Sequence, residues 1–201
     1  MRKIQSFMRK ILLFLLFAFS SAAFGQSRWG LRTGLNYTLN AVQLNQAVSS
    51  AQGIFEGTVP DNGYHLGLYG RQFLGDQLYA SGSAIYGKDI QIVNHTVGGT
   101  TTTSRFDHQF VQLDAGLGIR LFKFARVEGG IHFINAIGNS AYNQTFESPT
   151  AGYNLGLGVD VWKLSLDLVY YASLQDHQGD WNGIPLSYER SQFLLSVGAK
   201  L

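Results

Sequence analysis

The sequence predicts an all-β protein, an eight-stranded antiparallel up-and-down transmembrane β-barrel of the outer membrane. Three observations carry that expectation. After residue 25, apolar and polar residues alternate through eight segments, and none of them shows helical periodicity. Short and long connections take turns between the segments, as in a meander whose hairpins point to opposite ends. The polar positions hold Gly, Ser and Asn with scattered charges, and only 14% of the chain is charged, against about 25% in an average soluble domain.

Each strand can be read from its alternation. Arg28–Leu39 sets Trp29, Leu31, Leu35 and Tyr37 against Gly30, Arg32, Gly34 and Asn36. Gly63–Phe73 sets Tyr64, Leu66 and Leu68 against His65, Gly67, Tyr69 and Arg71. Leu78–Ile92 is looser, with Leu78, Ala80, Ala84, Tyr86, Ile90 and Ile92 on one side. Gln109–Leu121 opposes Val111, Leu113, Ala115, Leu117, Ile119 and Leu121 to Gln112, Asp114, Gly116, Gly118 and Arg120. Ala125–Ile137 opposes Val127, Ile131 and Phe133 to Arg126, Glu128, Gly130 and His132. Tyr153–Tyr171 holds two strands about Trp162-Lys163, with Asp160 and Asp167 on the polar face, and Arg190–Leu201 closes the set.

The connections after the second, fourth and sixth strands are short ("LGDQ", "FKF", "WK"). Those after the others are long and polar: Asn40–Asn62, Val93–His108, Gly138–Thr150 and Gln175–Glu189. Pro60, Pro149 and Pro185 all fall in these long connections, as expected of residues that cannot donate to a ladder. A soluble lipocalin-like barrel would show similar alternation with the apolar face inward. Its water-facing surface should then be rich in Lys, Glu and Thr. Small residues here suit the narrow interior of eight strands, and strands of this length exceed the roughly 9–11 residues needed to cross a bilayer tilted.

Residues 1–25 read as a cleaved signal peptide and 26–201 as the barrel domain. Arg2, Lys3, Arg9 and Lys10 precede the apolar run Ile11 to Phe19, and "SSAAFGQ" follows, with Ala23 and Gly25 at the −3 and −1 positions. The run is too short for a membrane helix of about 20 residues. Loss of these four cations takes the formal charge from +2 to −2, so the mature chain offers no electrostatic case for nucleic acid. The absence of cysteine excludes a disulfide framework and cysteine-based metal or redox chemistry.

A charge on the lipid face near the midplane costs about 2–4 kcal/mol for Arg or Lys, so the strand charges belong inside. The expected lumen network is Arg32, Asp114, Arg120, Arg126, Glu128, His132, Asp160, Asp167 and Lys200. Folding the fourth hairpin arm about Lys123 sets Gly118 opposite Glu128 and Asp114 opposite His132. Trp29, Tyr37, Tyr64, Tyr86, Phe110, Tyr153, Tyr170 and Phe193 are expected in interfacial girdles. His65, His95, His108, His132 and His177 have no metal-ligand spacing, and "GLGVD" and "GLNYT" precede no helix and so make no phosphate loop. No catalytic, cofactor-binding or metal residue is expected. An enzyme acting on lipid A, with His132 and Asp114 or with His95 and His108, is the first alternative.

The stretches "WGLRTGLNYT", "YHLGLYGRQFLGDQLYASGSAIYGKD", "LDAGLGIRLF", "ARVEGGIHF" and "LGLGVDVWKLSLDLVYYASL…FLLSVGAKL" resemble the outer membrane protein beta-barrel domain family, the PorT-like group of Bacteroidetes-type bacteria. The resemblance implies a barrel inserted by the outer-membrane assembly machinery, surrounded by lipopolysaccharide and phospholipid. PorT itself belongs to the type IX secretion apparatus, which makes an accessory secretion role the second alternative. No catalytic residues come with the family. The expected function is a small outer-membrane protein without enzymatic activity, acting structurally or through its outer loops.

Overall fold

The computed structural model describes residues 27–39, 43–44, 54–97, 100–138, 149–175, 177–181, 184–188 and 190–201. Eleven strands run in chain order: β1 (Ser27–Thr38), β2 (Gln43–Leu44), β3 (Ile54–Phe73), β4 (Leu78–Val97), β5 (Thr100–Leu121), β6 (Ala125–Ile137), β7 (Thr150–Val161), β8 (Leu164–Ser173), β9 (His177–Trp181), β10 (Ile184–Tyr188) and β11 (Ser191–Lys200). Eight of them close into one antiparallel barrel in the order β1-β11-β8-β7-β6-β5-β4-β3, sealed where β1 pairs with β3. The expected signal segment, residues 1–25, and most of the Gly138–Thr150 connection lie outside the described residues.

The period of two decides which residues face out. Leu66, Leu68, Leu113, Leu155 and Leu157 are each more than half exposed, and Leu31, Ile119, Ile131, Leu166 and Val197 share that outer surface. In water so continuous an apolar band would drive association; its natural solvent is lipid. The alternate positions are buried and largely polar: Arg32, Asn36, His65, Arg71, Gln112, Arg126, Asp167 and Ser196. The β5–β6 register pairs Gly118 with Glu128 and Asp114 with His132, as the fold about Lys123 requires.

The interior is not purely polar. Ile85, Val169, Tyr171 and Leu194 form a buried apolar cluster, and Tyr79 and Phe110 are wholly buried. Phe110 therefore leaves the expected girdle: it shares the inward parity of Gln112 and Asp114. Its ring occupies the space where Gly87 has no side chain, and Tyr79 does the same over Gly118. Trp29, Tyr37, Tyr64, Tyr86 and Tyr153 are exposed on the outer face, where the Tyr170 and Phe193 rings meet at a tilt, 5.3 Å between centroids.

Two expectations about the long connections are corrected. Val93–His108 is mostly paired strand, since β4 and β5 continue in register to Val97↔Thr100. Its valines and threonines are β-formers, and polarity alone does not end a ladder. Pro60 lies within β3 and Pro185 within β10. There β3 has only β4 as a partner and register shifts flank the proline on both sides. The missing N–H thus costs no second ladder. Beyond the barrel, β2, β10 and β9 form a small separate sheet at the long-connection end.

The short turns lie at the other end, with both ends of the barrel chain. β3 and β4 join through Leu74–Gln77, β5 and β6 through Phe122–Phe124, and β7 and β8 through Trp162-Lys163. Phe122 and Trp162 adopt positive φ, 52° and 53°.

Candidate functional site

The lumen holds three layers of polar side chains. At the short-turn end, Arg126 on β6 bonds both Asp160 on β7 and Asp167 on β8. Arg71 on β3 reaches across the barrel to the same acids, 3.4 Å from Asp167 and 3.8 Å from Asp160, and lies 4.0 Å from Glu128. Lys200 and Arg28 complete the shell around Asp160, at 3.3 and 3.4 Å. Tyr79 donates to Glu128 at 3.0 Å. Four cations thus surround three carboxylates, most of them shielded from water. Here direct pairing has to replace hydration.

The middle layer is centred on Asp114. Its carboxylate accepts from Arg32 at 3.0 Å, from Gln112 at 2.7 Å, from Tyr171 at 3.2 Å and from Ser83. A cavity of about 20 Å³ beside Arg32, Arg71, Asp114, Glu128 and Tyr171 has room for one water molecule and no more.

The third layer lies toward the long connections. Arg190 pairs with Asp89 at 2.6 Å, approaches His108 Nδ1 at 3.2 Å and lies 4.4 Å from the centre of the Phe110 ring. Asn36 donates to Asp89 at 2.8 Å, and its carbonyl oxygen lies 2.6 Å from His65 Nδ1. His65 Nε2 lies 2.8 Å from Ser196 Oγ. A hydroxyl, an imidazole and an amide so ordered have the relation of nucleophile, base and orienter in acyl hydrolysis. Yet Ser196, His65 and Asn36 are each no more than 1% exposed. Among the described residues that oxygen is closed off from solvent.

Of the residues singled out from sequence, Arg126, Glu128, Asp160, Asp167 and Lys200 meet in one cluster, while Arg32 and Asp114 form a separate pair above it. Arg120 is a correction. Its guanidinium donates to the Asp76 carbonyl at 2.6 Å and stacks on Phe73 at 4.7 Å, so it closes the rim and stays outside the network. His132 is also corrected in its partner: backbone register sets it opposite Asp114, but its ring packs edge-on against Tyr171 at 5.1 Å, and Nδ1 has no hydrogen-bond partner. Arg28, Arg71, Tyr79 and the Asp89 layer escaped the sequence reading. Inward parity was their available signal; which strands face each other across the lumen depends on shear. Among the described residues no three His, Cys, Asp or Glu side chains are grouped to hold a metal ion.

A closed, filled barrel of eight antiparallel strands with an apolar exterior defines the class: the fold of small outer-membrane β-barrel proteins. The structure of OprG from Pseudomonas aeruginosa is similar at a TM-score of 0.53 and 11% identity, covering 88% of this chain and 97% of that one. AlkL, determined in lipid bilayers, is similar at a TM-score of 0.49 and 13% identity, covering 89% and 92%. Ail from Yersinia pestis in complex with a heparin analogue matches at 0.45 and 12%, covering 88% and 99%. No family profile and no curated protein sequence matches the chain.

Proposed function

We propose that this chain is a small, non-enzymatic outer-membrane barrel, exported by cleavage of residues 1–25, which works structurally or through the platform at its long-connection end. The carrying observation is that β3, β4 and β5 do not stop at the barrel rim. Eight further pairs, Ile90↔Asp107 to Val97↔Thr100, prolong the β4–β5 hairpin by about 27 Å of strand. Among the described residues the lumen beneath is filled by ion pairs and holds only a cavity of about 20 Å³, which supports presentation over transport. Lipopolysaccharide and phospholipid surround the barrel in this reading, and the assembly machinery inserts it.

Epitope tags between Val97 and Thr100 and within residues 45–53 should be labelled on intact cells, and a tag at Gly75-Asp76 should not. Labelling of the short turn in place of the long connections overturns the orientation. The Ser196–His65–Asn36 chain has the order that a lipid enzyme would use, but its burial weighs against that alternative. Lipid A mass spectrometry of a Ser196→Ala strain decides it: an altered acylation pattern makes the array catalytic. An accessory role in a type IX secretion apparatus rests on the resemblance to PorT-like sequences. A knockout that blocks secretion of that system's cargo would establish it.

A further inference from the structure

Two turns at the short-turn end repeat one unusual arrangement. The β7–β8 turn is two residues long, and its first residue, Trp162, has φ of 53° while Lys163 follows without positive φ. That is the position where a tight hairpin favours glycine. The β5–β6 turn places Phe122 at φ of 52° and again follows it with lysine, Lys123. A bulky side chain held in this region is strained and persists where something else compensates. Nothing inside the barrel does so, because Trp162 is 86% and Phe122 80% exposed.

The two turns are neighbours. β6 pairs with β7, and the Asp160 N–H donates to the Phe124 carbonyl at 2.7 Å, so the second turn leans on the first. Phe122 and Phe124 stack at 6.2 Å, and the Lys163 ammonium lies 5.8 Å from the Trp162 ring. Lys123 and Lys163 are exposed and have no ion-pair partner among the described residues. Asp76, an exposed carboxylate at this end, sits on the third turn, between β3 and β4. The result is a patch of aromatic rings with two unneutralised ammonium groups, set just below the apolar band.

We infer that this paired aromatic–lysine patch is a binding site for anionic phospholipid headgroups of the periplasmic leaflet. The inference rests on the membrane-barrel reading and its orientation, which put lipopolysaccharide at the opposite end. Aromatic rings favour the headgroup level, where one side meets acyl chains and the other water. Each lysine near an anionic lipid surface strengthens the attraction about fivefold. The strained backbone is then offset by rings that reach below the barrel rim, which glycine could not supply.

The test is retention of lipid by the full-length folded barrel. The protein is reconstituted in equal phosphatidylglycerol and phosphatidylcholine, stripped with detergent, and weighed intact by mass spectrometry. Wild type should retain phosphatidylglycerol over phosphatidylcholine by about tenfold or more, the scale that two lysines supply. Lys123→Gln/Lys163→Gln should abolish the preference. Phe122→Gly/Trp162→Gly should weaken it while leaving the melting temperature in neutral detergent unchanged or higher, because glycine relieves both turns. Equal retention of the two lipids by wild type, or an unchanged preference in both variants, overturns the inference and leaves the patch to a periplasmic protein. Failure of wild type to enter bilayers at all, read as protease sensitivity and no heat-modifiable gel band, sinks the membrane reading along with it.

Discussion

Asp167 shows what one buried carboxylate does in this lumen. It is almost wholly buried and faces Arg126 and Arg71. Asp167→Ala leaves both guanidinium groups short of a partner, and breaking a buried pair costs about 3–5 kcal/mol. Asp76→Ala on the exposed turn should fall within about 0.5 kcal/mol of wild type. Thermal unfolding in detergent compares them, and equal melting would remove Asp167 from a packed interior. Gly158→Ala should be costly for a related reason, since the new methyl would meet the Arg126 guanidinium and the Asp167 carboxylate. Gly82→Ala should be tolerated, its methyl meeting only the Asp114 carbonyl oxygen at 3.7 Å. Similar losses in the two alanine variants would contradict this packing. At this scale the sequence shows the inward parity of Asp160, Asp167 and Glu128. It does not show that Arg71, three strands from Asp167 through β1 and β11, is their shared cation. Phe110 lies inside because its parity, shared with Gln112, outweighs its residue type.

At the scale of elements, the hairpins were legible and their lengths were not. Alternation placed the arms of β5 and β6 and their register, because one face is apolar and a slip of one residue would invert it. Beyond Ile92 the sequence loses its strict alternation of apolar and polar residues, the constraint weakens, and Val93–His108 reads as loop although it is ladder. The structural assignment has its own consequence. A two-residue insertion after Asn94 should disrupt the ladder and lower the yield of folded protein, whereas an insertion between Val97 and Thr100 should be accommodated. Equal yields, measured as the heat-modifiable fraction, would mean that the extension is not paired strand.

For the whole molecule, closure leaves each of the eight barrel strands paired on both sides within the barrel, with no free edge there for detergent to open. The purified protein should run at an anomalous position on SDS gels until boiled, and its filled lumen should give no stable open channel in planar bilayers. The central claim is that apolar residues face lipid and polar residues face one another. The chain has no cysteine, so single cysteines can be introduced and spin-labelled without background. Labels at Leu155, Leu157, Leu166 and Leu168 in bilayers should collide with dissolved oxygen. Labels at Gly156, Ser165, Asp167 and Val169 should be shielded from it, with a period of two along β7 and β8. Oxygen accessibility without that period, or leucine positions that collide instead with a water-soluble relaxing agent, would contradict the account.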